Sequence, residues 1–555
     1  MVTRPDEPRR EISWSGWGDP DVAGALPESL VTMLSGALGV THAGRAAPAL
    51  EDLPLVDARL PAAVVSELGQ IVGSEHARGD HEARVRHARG KSTIDLLELR
   101  GGRPVSAPDL VVSPGSHDEV LAVLEACSAA RVAVIPFGGG TSVVGGLRPD
   151  PSGFAGTVAL DTRRLDALVA VDEESRLAVL EPGLRGPEAE VLLGARGWTL
   201  GHFPQSWEYA TLGGFAAARS SGQSSAGYGR FDERVLALRV ATPAGTLELG
   251  RAPKSAAGPD LRQLLLGSEG TLGVITSLTL ALDPTPEHRA YEGWMLPSFA
   301  EGTALVRRLA QDGPRPTVLR LSDEAETAMG LARPSEMSSP AGGAGAARAG
   351  GCLAIVGWEG AYEEVELRRR STGELLLGAG GELMPAAGDG WAAGRYQGPY
   401  LRDALLDAGA LVETLETVAF WAALPGLYAA VAAALRDTLA GLGTPPAILC
   451  HISHVYPTGA SLYFTIACAQ SEDPIAQWAA AKAAASEAIL AAGGSITHHH
   501  GVGADHRALY PREVGALGVE VLRAVKRTLD PAGILNPGIL LSREGGAAAA
   551  GTDSE

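Results

Sequence analysis

Between residues 105 and 285 the apolar positions come in short β-branched runs broken by turns: DLVVSP, VAVIPF, GTVALD, RLAVLEP and ALRVATPAG. Runs of this length and composition predict strands. HDEVLAVLEACSAARV, with apolar residues three and four apart, predicts a helix among them. The interleaving predicts an α+β domain over residues 101–285. Residues 1–100, with PAAVVSELGQIVG, read as a mostly helical segment with loops. From 286 to 505 a second α+β domain is expected, with strands such as CLAIVGWEG and SLYFTIACA. Its helix DPIAQWAAAKAAASEAILAAGG opens on Asp473-Pro474 and closes on Gly493-Gly494, a conventional start and stop. Residues 506–541 read as a C-terminal helical segment.

Three stretches depart from these periods. PSEMSSPAGGAGAARAGG (334–351) has no apolar anchor and predicts a mobile loop. The tail 542–555 has nothing to bury and predicts disorder. VAFWAALPGLYAAVAAAL (418–435) is uncharged over the length of a membrane span. Pro425-Gly426 divides it, so a buried turn leading into a helix is the reading adopted.

Composition narrows the function. The 555 residues are 45% hydrophobic and 20% charged, as in a soluble globular protein. A formal charge of −19 opposes binding to nucleic acid phosphates or electrostatic docking on anionic lipid. Cys127, Cys352, Cys450 and Cys468 have no metal-ligand spacing and read as free thiols in a reducing compartment. The N-terminus lacks the apolar core of a secretory signal, and no peroxisomal address is evident. A cytoplasmic protein is expected.

The chemistry concentrates in glycine-rich segments. VAVIPFGGGTSVVGG (132–146) runs an apolar strand into three glycines, then Thr141 and Ser142. Residues without Cβ let successive N–H groups face one concavity, a nest for phosphate oxygens; a structural turn is the alternative. A Walker loop would need a Lys, and a dinucleotide fingerprint would need a helix opening on the third Gly. Neither is present. PQSWEYATLGGFAAARSSGQSSAGYGRFDERV (204–235) and GSEGTLGVIT (267–276) add small residues that would let backbone approach a large planar ligand.

These segments, in this order, resemble the FAD-binding domain of the vanillyl-alcohol oxidase and p-cresol methylhydroxylase (PCMH) superfamily. The resemblance implies a two-subdomain PCMH-type FAD-binding domain, a cap domain with an antiparallel sheet, and a C-terminal segment returning to the flavin. It implies non-covalent FAD, since the first loop carries no His. FAD contacts would fall on Pro136, Phe137, Gly138, Gly139, Gly140, Thr141 and Ser142. The second loop would contribute Gln205, Ser206, Trp207, Glu208, Tyr209, Ala210 and Thr211, followed by Ala218, Arg219, Ser220 and Ser221. The third would contribute Glu269, Gly270, Thr271, Leu272, Gly273, Val274 and Ile275.

From WSGWGDP (14–20) to LDPAGILNPGILL (529–541) the chain is most similar to the alkyldihydroxyacetonephosphate synthases, which form the ether bond of ether lipids. Shared features are PTVLRLSD with Arg320, YLRD with Arg402, GASLYF with Tyr463 and HHHGVG with His498, His499 and His500. The resemblance implies exchange of the acyl chain of acyl-dihydroxyacetone phosphate for a long-chain fatty alcohol, through a flavin N5 adduct and without net redox change. It implies Tyr463 as catalytic acid/base, Arg320 as needed for activity, and Arg402, His202 and His451 on the substrate. Lipid substrates, a homodimer and peripheral membrane contact also follow from it.

Read from the residues alone, Tyr463 on an apolar strand is more simply an ordinary core tyrosine. The three imidazoles lack a further metal ligand at suitable spacing, so no metal is expected. Alternate histidines of an extended segment share a face, and free N–H groups of Gly501-Val502-Gly503 would complete a phosphate grip. Surface or structural histidines are the alternative. The family's strand often begins Cys-Arg where this chain has Cys450-His451, which opens a second reading: an FAD-dependent oxidase or dehydrogenase of a 2-hydroxy acid or alcohol.

Overall fold

The computed structural model describes residues 10–22, 26, 28–330 and 350–543. Most of the expected mobile loop, and the tail from 544, lie outside the described residues.

Four strands form the first sheet: β1 (Ala77–Arg78), β2 (Leu110–Val112), β3 (Ala133–Phe137) and β4 (Thr157–Asp161), in the order β1-β2-β4-β3. β2 and β3 both run parallel to β4. Parallel strands need a crossover, and the helix His117–Ala130 supplies it, capped by Ser116 accepting from the Glu119 N–H. β4 is buried along its whole length, which explains its unbroken apolar run. The two-residue β1 was not expected; it adds an antiparallel edge to this sheet from within the N-terminal segment.

The second sheet is antiparallel, in the order β5-β6-β10-β8-β9, from β5 (Leu168–Asp172), β6 (Leu177–Leu180), β8 (Val235–Thr242), β9 (Gly245–Leu249) and β10 (Val274–Ala281). β7 (Trp198–Thr199) and β11 (Asp283–Pro284) pair as a short ribbon.

The third sheet has seven antiparallel strands: β12 (His288–Leu296), β13 (Val318–Ser322), β14 (Cys352–Gly360), β15 (Glu382–Met384), β16 (Ala410–Phe420), β17 (Ala447–Val455) and β18 (Gly459–Ala469). Their order is β15-β12-β14-β13-β17-β18-β16. Leu462, Phe464 and Ile466 are buried with Leu427, Leu435, Trp478 and Ile489 of the helices Leu424–Gly441 and Pro474–Ala491. The second of these helices starts where expected, with Asp473 accepting from the Ala476 N–H. The uncharged run at 418–435 is the end of β16, a turn, and a helix with Pro425 in its first turn. Among the described residues no helix is long and apolar enough to cross a membrane.

Two connections fold the ends of the chain onto this frame. Thr93, opening the helix Thr93–Arg100, donates its N–H to Glu413 and its hydroxyl to the Val412 carbonyl, both on β16. The helical segment Tyr510–Leu529 bends at Gly515, where φ is 76°. Beyond it Leu535 bridges to Val134 of β3, which carries Asn536 to the cavity described next.

Replacing Phe464 by Ala is expected to lower unfolding free energy by about 3–5 kcal/mol. Thr465→Ala, on the opposite face of β18, is expected to cost less than about 1 kcal/mol. Denaturant midpoints of the two variants test that assignment of faces.

Candidate functional site

A cavity of about 510 Å³ lies between the glycine-rich loops and one face of the third sheet. Side chains of a strand alternate in direction, so every second residue meets it. These are Val318 and Arg320 on β13, Val412 and Thr414 on β16, Leu449, His451 and Ser453 on β17, and Tyr463, Thr465 and Ala467 on β18, and a bulge after Ile452 adds His454. Register sets His451 opposite Tyr463, with ring centroids 4.9 Å apart and nearly parallel. The His500 ring meets the Tyr463 ring edge-on at 5.9 Å.

The opposite wall holds Pro136, Phe137, Gly138, Gly139, Gly140, Thr141 and Ser142, together with Gln205, Ser206, Ala210, Thr211, Ala218, Ser220 and Ser221. Glu269, Gly270, Gly273, Val274 and Ile275 complete it. A Cβ on Gly138 would collide with Thr211 Oγ1, and one on Gly139 with the Tyr209 carbonyl. The first loop is therefore glycine-rich partly to lie against the second. Gln205 Nε2 and Asn536 Oδ1 are buried with no hydrogen-bond partner. Orphaned polar atoms on a glycine-lined wall fit a polar, extended cofactor.

The six other expected contacts of these loops stand behind the wall. Trp207 stacks on Tyr396, Tyr209 packs edge-on against Trp17, and Glu208 belongs to the same turn. Arg219 holds Asp232, Thr271 Oγ1 donates to the Ser268 carbonyl, and Leu272 is core. His202 does not reach the cavity either. It is buried between Phe215 and Phe231 with Nε2 3.0 Å from Ser220 Oγ, so it supports a wall residue. Burial, with Arg234 nearby, pushes its imidazole down to about 3.

The histidine triplet departs from expectation in three respects. Residues 498–500 bend and are not extended, so the neighbours His499 and His500 both line the cavity while His498 faces away. Their backbone is occupied: Glu416 accepts the N–H groups of His498, His499 and His500 and the Thr497 hydroxyl, at 2.8–3.0 Å. Burial disfavours charge on Glu416, but the imidazoles around it, led by His499, hold its carboxyl well below the ordinary range. Of the N–H groups expected to be free on Gly501-Val502-Gly503, those of Val502 and Gly503 are engaged, donating to Glu269. Burial raises the Glu269 carboxyl to about 7 against those bonds. The phosphate grip expected along this backbone is already filled by the protein's own carboxylates.

The third imidazole that chain spacing did not offer is supplied by the fold. His454, from β17, brings a ring nitrogen within 4.8 Å of those of His498 and His499.

Arg320 lies 2.7 Å from Glu326, whose other oxygen is 3.0 Å from His451 Nδ1. Burial would raise the Glu326 carboxyl, but His451 and Arg320 outweigh it and bring it down to about 2. Burial and Arg320 push His451 below its usual value, against the pull of Glu326, and its Nδ1 lies 3.0 Å from Glu326 and 3.1 Å from Arg320 Nη2. Arg402 donates to the Lys91 carbonyl at 2.6 Å and to Asp403. Burial pushes the Tyr463 phenol up to about 12, keeping its proton at neutral pH.

Residues 108–250 match the FAD binding domain family, and residues 285–540 match the C-terminal domain of FAD linked oxidases. An alkyldihydroxyacetonephosphate synthase of Dictyostelium discoideum is 34% identical, over 95% of this chain and 93% of that protein. The chain belongs to the alkyldihydroxyacetonephosphate synthase family. A solved alkyldihydroxyacetonephosphate synthase structure superimposes with a TM-score of 0.81 at 31% identity, covering 95% of this chain and 98% of that one. p-Cresol methylhydroxylase, at 15% identity and a TM-score of 0.63, shares the fold. The cation beside His451 is Arg320 of the adjoining strand, its Nη2 3.1 Å from His451 Nδ1.

Sequence reasoning missed Glu326, Glu416 and His454, and also Arg395, whose buried Nη1 at the cavity has no partner. The signal for Glu416 was present, a carboxylate inside the apolar strand ALVETLETVAF.

Because Glu326 titrates lower in the folded protein than its ordinary 4.5, its contribution to stability is full above that pH and fades toward pH 2. The stability gap between the native protein and Glu326→Gln should be roughly 3 kcal/mol at neutral pH. It should shrink as pH falls from 4.5, as followed by chemical denaturation.

Proposed function

We propose that this protein is an FAD-dependent synthase that exchanges the acyl chain of acyl-dihydroxyacetone phosphate for a long-chain alcohol. The observation that carries this reading is that one cavity joins the flavin loops, a phenol flanked by two imidazoles, and an apolar arm. Leu34, Leu38, Leu401, Leu405, Val412, Leu449 and Ala467 line the arm, which suits an alkyl chain and serves no purpose for a small hydroxy acid.

Bound FAD would supply an isoalloxazine ring able to act on the substrate carbon without lasting transfer of electrons. The loops 136–142, 205–211 and 269–275 would hold it, with Gln205 and Asn536 offering their unpaired atoms. Arg402 and Arg395 supply the positive charge that meets the anionic substrate phosphate. Tyr463 donates its phenolic proton to the departing acyl carboxylate and recovers one from the incoming alcohol. Arg320, tied to Glu326, keeps positive charge near the ring of His451 and assists the carboxylate's departure. His500, pushed to about 3 by burial, stays neutral beside Tyr463. Cytoplasmic location, a homodimer and peripheral contact with a bilayer extend this reading. The exposed stripe Val514, Leu517 and Val521 supports the last.

Purified protein should carry the yellow spectrum of FAD and convert palmitoyl-dihydroxyacetone phosphate and hexadecanol to the ether. Tyr463→Phe should keep the flavin and lose about 100-fold or more in turnover. Anaerobic bleaching of the flavin by D-lactate, with no ether formed, would establish a hydroxy-acid oxidoreductase instead. Leu405→Trp, which fills the apolar arm, should shift preference toward shorter alcohols with little effect on flavin content.

A further inference from the structure

His498 does not reach the main cavity, yet it joins two other side chains end to end. Its Nε2 lies 2.7 Å from the Tyr456 hydroxyl, and its Nδ1 lies 3.0 Å from Nδ1 of His499. His499 is a wall of the main cavity. Tyr456 and His498 are walls of a second cavity of about 550 Å³. That cavity is also bordered by the exposed Glu233 and the half-buried Arg219, so it reaches solvent. We propose that His499, His498 and Tyr456 form a proton path from the main cavity to the second cavity.

The need for such a path rests on the reaction proposed above. In that exchange the bond between the substrate carbon and the acyl oxygen breaks, and the acyl group leaves as carboxylate. The alcohol oxygen bonds to the same carbon and its proton remains. No electrons are gained or lost, and at neutral pH a fatty carboxylate does not keep the proton. When the acid ionises before it departs, one proton per turnover has to leave the cavity separately. His499 can take it, pass its Nδ1 proton to His498, and have His498 release its Nε2 proton through the Tyr456 hydroxyl to water.

The surroundings suit transfer better than static packing. An Nδ1···Nδ1 contact of 3.0 Å accommodates one shared proton, which makes one ring donor and the other acceptor. The Glu416 carboxylate lies 3.5 Å from His499 Nδ1 and 3.7 Å from His498 Nδ1, close enough to stabilise a transient imidazolium at either ring. His454 stacks on His498 at 5.0 Å, and its own Nδ1 is fixed by the hydroxyls of Ser221 and Ser225. The ring orientation of His498 is thus set from both ends.

The test is Tyr456→Phe in the FAD-loaded full chain, which removes one hydroxyl and leaves the ring. Flavin content and KM should be unchanged, turnover should fall about tenfold or more, and its solvent isotope effect should rise. Millimolar imidazole, which fits the second cavity, should restore part of the rate. A readout independent of the reaction comes from histidine-labelled protein without substrate. There the proton shared by the two Nδ1 atoms should exchange with water at least about tenfold more slowly in the variant. Native turnover together with native exchange in Tyr456→Phe would overturn the path. So would one tightly bound transition-metal ion per chain on His454, His498 and His499, since ligated nitrogens carry no proton. If the native protein forms no ether but the variant's exchange is slowed, the path stands and the proposed reaction falls.

Discussion

Residues 497–503 are strung between two buried carboxylates. Glu416, on β16, gathers three successive N–H groups and the Thr497 hydroxyl, while Glu269, ahead of β10, takes those of Val502 and Gly503. One carboxylate belongs to the seven-stranded sheet and the other to the flavin-side loops. Removing either set of donors would leave a buried charge without compensation, which costs several kcal/mol. The seven residues therefore tie the two halves of the cavity together, and the imidazoles they carry inherit their positions from that tie.

The same tie explains what the chain alone could reveal. Strands such as CLAIVGWEG and the helix opening at Asp473-Pro474 were legible because their periods and caps are local. The three flavin loops were legible because glycine at a close backbone approach leaves its mark in composition. Trp207, Tyr209 and Leu272 lie inside those loops but turn away from the cavity, because a loop has two sides and a motif does not say which residue faces the ligand. Glu416 was invisible as a partner of the triplet since they are 82 residues apart in the chain. The nest at 501–503 was read as a grip for phosphate, and its Val502 and Gly503 N–H groups are instead taken by the Glu269 carboxyl.

The third sheet does two jobs with one alternation. One face is a packed layer against the helices Leu424–Gly441 and Pro474–Ala491, and the other presents a phenol, imidazoles, a guanidinium and small residues to the cavity. Rigid strands hold those groups more closely than loops would. His451 fits this frame, since Arg320 reaches the same spot from β13 and leaves a buried Glu326 balanced.

Pleating with a period of two also limits how such a cap can diversify. A single residue inserted in β17 or β18 would carry His451 or Tyr463 into the helix-covered layer and push Ile452 or Phe464 into the cavity. Within these strands, new specificities come most simply through exchange of side chains, and an added residue has to be absorbed as a bulge, as β17 does between Ile452 and Val455.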